Sequence, residues 1–202
     1  PVIVVANHPS GALDGLALLT LIRRVRTDVR LLANRWLSCV PELRECVVPL
    51  DVFGTPTRAI PRNGTALRAA IQWLARGGCV AIFPSGEVAH EEQPDGRVLD
   101  SPWRQTAAEL ALRARATVVP VFIDARNSRL FLTAGRLHPL LRTALLPREL
   151  WAKRGSTVRV DVGPPITPDE LANRADGTTR TAFLRSRLEH LETGTAENHP
   201  VG

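Results

Sequence analysis

Two side chains near the start of the chain have the types and spacing to move a proton. His8 and Asp14 are separated by Pro9-Ser10-Gly11-Ala12-Leu13, five residues that include a bend-forming proline and a glycine. Imidazole accepts a proton near neutral pH, and a carboxylate on its far nitrogen fixes the tautomer and steadies the imidazolium that forms. With the chain bent at Pro9 and Gly11, an aspartate in the first turn of a helix folds back beneath the histidine. A purely structural reading stands beside this one. Asn7-His8-Pro9 is turn chemistry, and an aspartate suits the positive end of a helix.

Three further stretches supply groups of the right kind. "FPSGEVAH" at 83–90 carries Ser85, Glu87 and Gly86, whose missing side chain lets a ligand approach the backbone closely. "IPRNG" at 60–64 puts Arg62 and Asn63 at the expected mouth of a helix, where a guanidinium and free amides make an anion site. "VVPVFIDARNS" at 118–128 brings a strand toward the same place. Ser85 as a hydrolase nucleophile served by His8 is disfavoured, because no G-x-S-x-G elbow occurs in the chain. A metal site is not expected either, since among His8, Asp14, Glu87 and His90 no two residues sit at ligand spacing on one helix face. His90 fits a solvated loop, and His138 and His190 fit the surface.

The elements that position these groups follow from hydrophobic pattern. Val2–Ala6 is a β-branched run without polar alternation, which predicts a strand buried on both faces. Leu13, Leu16, Ala17, Leu21 and Val25 follow helical spacing, with Arg23, Arg24 and Arg26 at the end where the dipole favours cations. Strands are expected at 29–33, 45–50, 79–84, 117–123 and 157–166, with a short helical piece near Trp36. A second helix is expected to start at an Asn63-Gly64 cap and stop at Gly77-Gly78, and a third to run from Trp103 to Arg115. The alternation predicts an α/β domain with a mostly parallel central sheet covered by helices on both faces. Ligands bind such sheets outside the carboxyl ends of the strands, which places His8 and the 84–87 loop on one rim.

Composition narrows the partners. The 202 residues suit one domain, expected over 1–192, with a small polar tail at 193–202. The chain starts at Pro1 and lacks methionine, so the domain is expected to be truncated relative to an initiation codon. No window has the roughly 18 consecutive apolar residues of a membrane-spanning helix. Cys39, Cys46 and Cys79 show no C-x-x-C spacing, and their apolar surroundings predict buried free thiols in a reducing compartment. The net charge is +6, from 26 basic and 20 acidic residues, and Lys153 is the one lysine. Arginine's planar fork suits phosphate, whereas four Trp and five Phe in apolar contexts give no nucleic-acid motif. Residues 135–155 interleave leucines and Trp151 with Arg136, Arg142, Arg148, Lys153 and Arg154. That pattern serves either an anionic membrane surface or a helix packed on the sheet with its arginines outward.

The ordered blocks "NHPSGALDG", "PTRAIPRNG", "FPSGEVAH" and "VVPVFI" resemble those of the 1-acylglycerol-3-phosphate acyltransferase family, in its haemolysin-like lysophospholipid acyltransferase branch. The resemblance runs from about Val2 to Ile166. The family at large has four residues between His and Asp, and five resemble the haemolysin-like branch. The third block departs from the usual Phe-Pro-Glu-Gly order, with Ser85 before Gly86 and Glu87 after it. The resemblance implies a glycerolipid acyltransferase-like fold and acyl transfer from acyl-coenzyme A or acyl carrier protein to a lysolipid hydroxyl. No permanently bound cofactor and no covalent acyl-enzyme are expected. His8 would be the base and Asp14 its orienting carboxylate. Backbone amides at Gly11 or Gly15 would hold the oxyanion. Arg62, in preference to Arg58, and Asn63 would bind the acceptor phosphate, and Ser85, Gly86 and Glu87 would shape the acceptor site. The implied location is peripheral, on the cytoplasmic face of the cell membrane. An inert lipid-binding domain of the same fold, or an acyltransferase with an amine or glycolipid acceptor, fits the same blocks.

Overall fold

The computed structural model describes residues 1–51, 56–89, 91–92, 98–128, 130–133 and 139–194, with side chains apart from those of 56–62, 91–92, 98, 139–143, 146 and 193–194. In chain order the elements are β1 (Val2–Ala6), α1 (Ala12–Arg23), β2 (Val29–Asn34), two 3-10 turns (Arg35–Cys39 and Pro41–Cys46), β3 (Val47–Leu50), α2 (Pro56–Ala75) and β4 (Cys79–Ile82). A two-stranded ribbon, β5 (Glu91–Glu92) and β6 (Val98–Leu99), leads to α3 (Thr106–Ala114) and β7 (Thr117–Asp124). Then come α4 (Pro139–Ala152), β8 (Arg159–Val162), α5 (Pro168–Ala172) and α6 (Gly177–Gly194).

The main sheet has the order β3-β2-β4-β1-β7-β8, parallel except for β8, which pairs antiparallel with β7. β1 lies inside it between β4 and β7, and its residues alternate between two cores. Ile3 and Val5 pack with Ala70 and Leu74 of α2, Ala108 of α3 and Leu184 of α6. Val4 and Ala6 pack with Leu18, Leu19 and Ile22 of α1. Both faces are therefore apolar, which explains the absence of polar alternation along β1. The architecture is the expected single α/β domain with a mostly parallel sheet.

The Val-Pro of β7 has a local explanation. Val118 exchanges both backbone hydrogen bonds with Ile166, so the amide of residue 120 would face the same side. There the Gly163 amide donates to the Pro120 carbonyl at 2.9 Å, and Pro120, which has no N–H, gives no bond back to Gly163. This rung beside the end of β8 therefore carries one hydrogen bond in place of two. A Cβ on Gly163 would come within 2.9 Å of the Pro120 ring, so the proline and the glycine fit as a pair.

Several expectations are corrected. α2 begins at Pro56, and Asn63-Gly64 lies inside it. The Asn63 side chain accepts from the Asp51 amide at 2.7 Å and donates to the Asp51 carbonyl at 3.1 Å, tying the helix to the end of β3 instead of capping a helix start. α3 starts at Thr106 because Trp103 belongs to the preceding loop, where its indole donates to Asp100 Oδ2 at 3.1 Å. The last strand spans only Arg159–Val162. Of the three thiols, Cys79 alone is buried; Cys39 is exposed and Cys46 half-buried. Among the described residues, no helix is long and apolar enough to cross a membrane.

Candidate active site

The carboxyl ends of β1, β4 and β7 meet on one rim, and His8 stands there two residues past β1. Asn7 makes the exit from the sheet. Its side-chain amide donates to the Ile123 carbonyl at 2.9 Å and accepts from the Ile123 amide at 2.7 Å. It thereby continues the β1–β7 ladder while the main chain turns away. His8 is held by its backbone from two other directions. Its amide donates to Asp100 Oδ1 at 2.9 Å, and its carbonyl accepts from Ala89 at 2.8 Å. Its ring stacks on Phe83 with centroids 4.1 Å apart and planes 12° from parallel.

The structure brings His8 and Asp14 together, with Nδ1 and Oδ2 at 2.9 Å. The Asp14 side chain is fully buried and the His8 side chain 17 % exposed. Asp14 Oδ2 also accepts from the amides of Ser10 (2.7 Å) and Gly11 (2.8 Å), and Oδ1 accepts from the Ser10 hydroxyl. A buried carboxylate with this many donors is held firmly in one position. Gly11 precedes α1 at φ 85°, ψ −124°, a conformation that glycine alone adopts without strain. The proton on Nδ1 is thus directed at Asp14, which leaves Nε2 as the ring's acceptor.

The other expected site residues have more varied surroundings. The Gly11 amide is committed to Asp14, so the structure gives it a positioning contact in place of an open oxyanion donor. Gly15 lies one turn into α1 and lines an apolar cavity. Asn63 spends its side-chain amide on the Asp51 backbone. Arg62 lies on α2, and its side chain, like that of Arg58, is outside the described residues, as is His90. Ser85 is buried and its hydroxyl donates to the Glu87 carbonyl at 3.0 Å. Gly86 sits at φ +73°, and a Cβ there would lie 3.4 Å from the Arg104 guanidinium.

Sequence reasoning missed the supports of His8. Phe83 and Asn127 lie inside "FPSGEVAH" and "VVPVFIDARNS" but have no chemistry of their own that marks them there, and Asp100 lies in none of the quoted stretches. Asp100 is largely buried, and burial pushes its carboxyl above the usual range against the opposing pull of the His8 amide and the Trp103 indole. Asn127 donates to the Pro9 carbonyl at 3.2 Å. Two cavities flank the loop. One of about 330 Å³ is apolar and runs from Ala12 and Gly15 past Leu19, Leu37, Leu43 and Leu150. The other, of about 210 Å³, is mixed in character and is walled by Asn7, Pro9, Asp100, Trp103 and Arg185.

With a His–Asp pair on the rim of a parallel sheet, and an apolar cavity beside the helix that carries the aspartate, the class becomes plain. The chain belongs to the acyltransferase family, whose profile matches residues 2–195. It is 25 % identical over 169 residues to a lyso-glycine lipid O-acyltransferase of Phocaeicola vulgatus, covering 80 % of this chain and 58 % of that protein. It is 28 % identical over 169 residues to a lyso-glycine lipid O-acyltransferase of Bacteroides thetaiotaomicron, covering 80 % of this chain and 59 % of that one. The chain therefore spans less than two thirds of the length of either relative. Its fold is similar to that of the 1-acyl-sn-glycerophosphate acyltransferase PlsC of Thermotoga maritima, with a TM-score of 0.56, 20 % identity, and coverage of 98 % of this chain and 68 % of that one.

Proposed function

We propose that this chain transfers a fatty acyl group from an acyl thioester, of coenzyme A or of acyl carrier protein, to a hydroxyl of a lysolipid, with His8 as general base. The observation that carries this reading is the His8–Asp14 contact of 2.9 Å beneath a ring whose second nitrogen is left to accept a proton. The acceptor hydroxyl gives its proton to Nε2 as its oxygen attacks the thioester carbonyl. The tetrahedral intermediate collapses with cleavage of the C–S bond, and the imidazolium returns the proton to the leaving thiolate. Buried Asp14 opposes the imidazolium charge during that interval. Helix geometry leaves the first-turn amides of α1, at Ala12 and Leu13, without an intrahelical partner, which makes them the nearest candidates for the oxyanion.

The apolar cavity beside Gly15 suits the acyl chain. The acceptor is taken to be a lysophospholipid, lysophosphatidic acid or, on the activity named for the two relatives, a lyso-amino-acid lipid. Peripheral attachment to an anionic membrane is supported by Trp36 and Trp151, which are 70 % and 72 % exposed, and by Arg154, whose guanidinium lies 5.3 Å from the Trp151 ring. The test is a panel of acyl thioesters against lysophosphatidic acid, lysophospholipids and lyso-glycine lipid, with lipid products read by mass spectrometry. A hydroxyl-acylated product is expected from the wild-type protein and at most a trace from His8→Ala. Transfer that survives His8→Ala overturns the mechanism, and lipid binding without any transfer favours the inert domain.

A further inference from the structure

Lys153 is the one lysine in the chain, it lies just past the end of α4, and it is only partly exposed. A lone lysine withdrawn from water is poorly explained as a solubilising group. Its ammonium donates to Oδ1 of Asn127, whose own Nδ2 donates to the Pro9 carbonyl between His8 and Ser10. Asn127 is 4 % exposed, and the neighbouring Glu149 is 2 % exposed. The Glu149 carboxylate accepts from the Ser128 amide at 2.8 Å and the Ser128 hydroxyl at 2.5 Å. α4 and the end of β7 are thus fastened together directly behind the His8 loop.

We propose that Lys153 is a positioning residue of the His8–Asp14 pair: through Asn127 it fixes the Pro9 carbonyl, and its positive charge sets how readily His8 takes a proton. This rests on the reading of His8 as the base. The charged groups around the pair come from four elements. Asp14 comes from α1, Glu149 and, at 3.7 Å from it, Arg148 come from α4, Asp100 comes from the loop after β6 that holds the His8 amide, and Arg185, whose guanidinium donates to the Asp100 carbonyl at 3.4 Å, comes from α6. Asp14 and Glu149 both favour the ammonium, while burial pulls its pKa below the usual lysine range. A cation on this side of Asp14 competes with the imidazolium for the same carboxylate.

The experiment is a proton NMR titration of the His8 ring, assigned by its loss in His8→Ala, in wild type, Lys153→Met, Lys153→Gln and Lys153→Arg. Removing the cation in Lys153→Met should raise the His8 midpoint by about half to one pH unit, the size expected when one charge is removed from a partly buried cluster. Lys153→Gln retains a donor for Asn127 without the charge, and should shift the midpoint equally if Lys153→Met does not fold. Lys153→Arg should restore the wild-type midpoint. The acid limb of kcat/KM should move with the midpoint, which a merely structural lysine would not cause. A His8 midpoint unchanged to within about 0.2 units in both uncharged variants overturns the proposal. Because the titration needs no turnover, a failure of the acyl-transfer reading is seen separately, as a wild-type protein that titrates as expected yet acylates nothing.

Discussion

Replacing Asp14 by asparagine separates the two readings that the sequence leaves side by side. In the structure Oδ2 accepts from three N–H groups, those of the His8 ring, Ser10 and Gly11, while Oδ1 accepts from the Ser10 hydroxyl. An asparagine whose oxygen occupies the Oδ2 position keeps all three N–H bonds, and its NH2 can donate to the Ser10 oxygen once that hydroxyl rotates. The local fold therefore survives, and what disappears is the negative charge under the ring. For an imidazolium whose charge centre is about 4 Å from the carboxylate, at an effective dielectric near 20, the lost attraction is about 4 kcal/mol. If that attraction operates in the transition state and not in the ground state, kcat falls by about a thousandfold with KM for either substrate nearly unchanged. Asparagine serves a helix start about as well as aspartate, so stability should change by less than about 1 kcal/mol. In a domain of this size that is a Tm shift of about 2–4 °C. Acyl transfer by mass spectrometry and thermal unfolding by circular dichroism measure the two quantities on one preparation. A kcat within tenfold of wild type would refute the reasoning and leave Asp14 as a helix-start residue alone.

Asp100 should make folding stability depend on pH in an unusual direction for a carboxylate. Burial raises its pKa in the folded state above the unfolded 3.8, so between those two values the native state holds the extra proton, and the stability this contributes is lost as pH rises through the folded value. Urea unfolding of wild type and Asp100→Asn from about pH 4 to 7 should show that slope in the first and lose it in the second; equal slopes would count against the assignment. The thiols should divide by burial. Cys79 is pushed up to about 11 by desolvation, so at pH 8 roughly one molecule in a thousand carries its thiolate. A chromogenic disulfide reagent should label Cys39 promptly in the native protein and Cys79 only after denaturation, and prompt native labelling of Cys79 would show that the α1 side of the sheet opens readily.

Much of this fold is written in local pattern. The β-branched runs at 2–6, 79–82 and 117–123 are strands because they are apolar on both faces, and the sheet order then follows from helices that must cover each side. His8 and Asp14 are legible as a pair because six positions, a proline and a glycine define a tight return. Local signals fail where a distant partner outweighs them. Asn63-Gly64 has the chemistry of a helix start, yet Asp51 captures the asparagine in the middle of α2. Trp103 stands at helical spacing from Ala107 and Leu110, yet its indole is drawn to Asp100. The link from Lys153 through Asn127 to Pro9 crosses more than a hundred residues and joins three elements, and no periodicity in the chain records it.

The side-chain rung at Asn7 bears on how this site tolerates change. Because that amide both gives and takes a hydrogen bond with Ile123, position 7 needs a planar group with one donor and one acceptor at a fixed short reach. Aspartate lacks the donor, serine lacks the span, and glutamine overshoots by one methylene. Each of these replacements would therefore unfasten the strand end that aims His8, without touching a reacting atom. In a saturation library selected for activity, the residue before the histidine should be almost as intolerant as the histidine itself, and its losses should be recoverable by nothing done inside the substrate pocket.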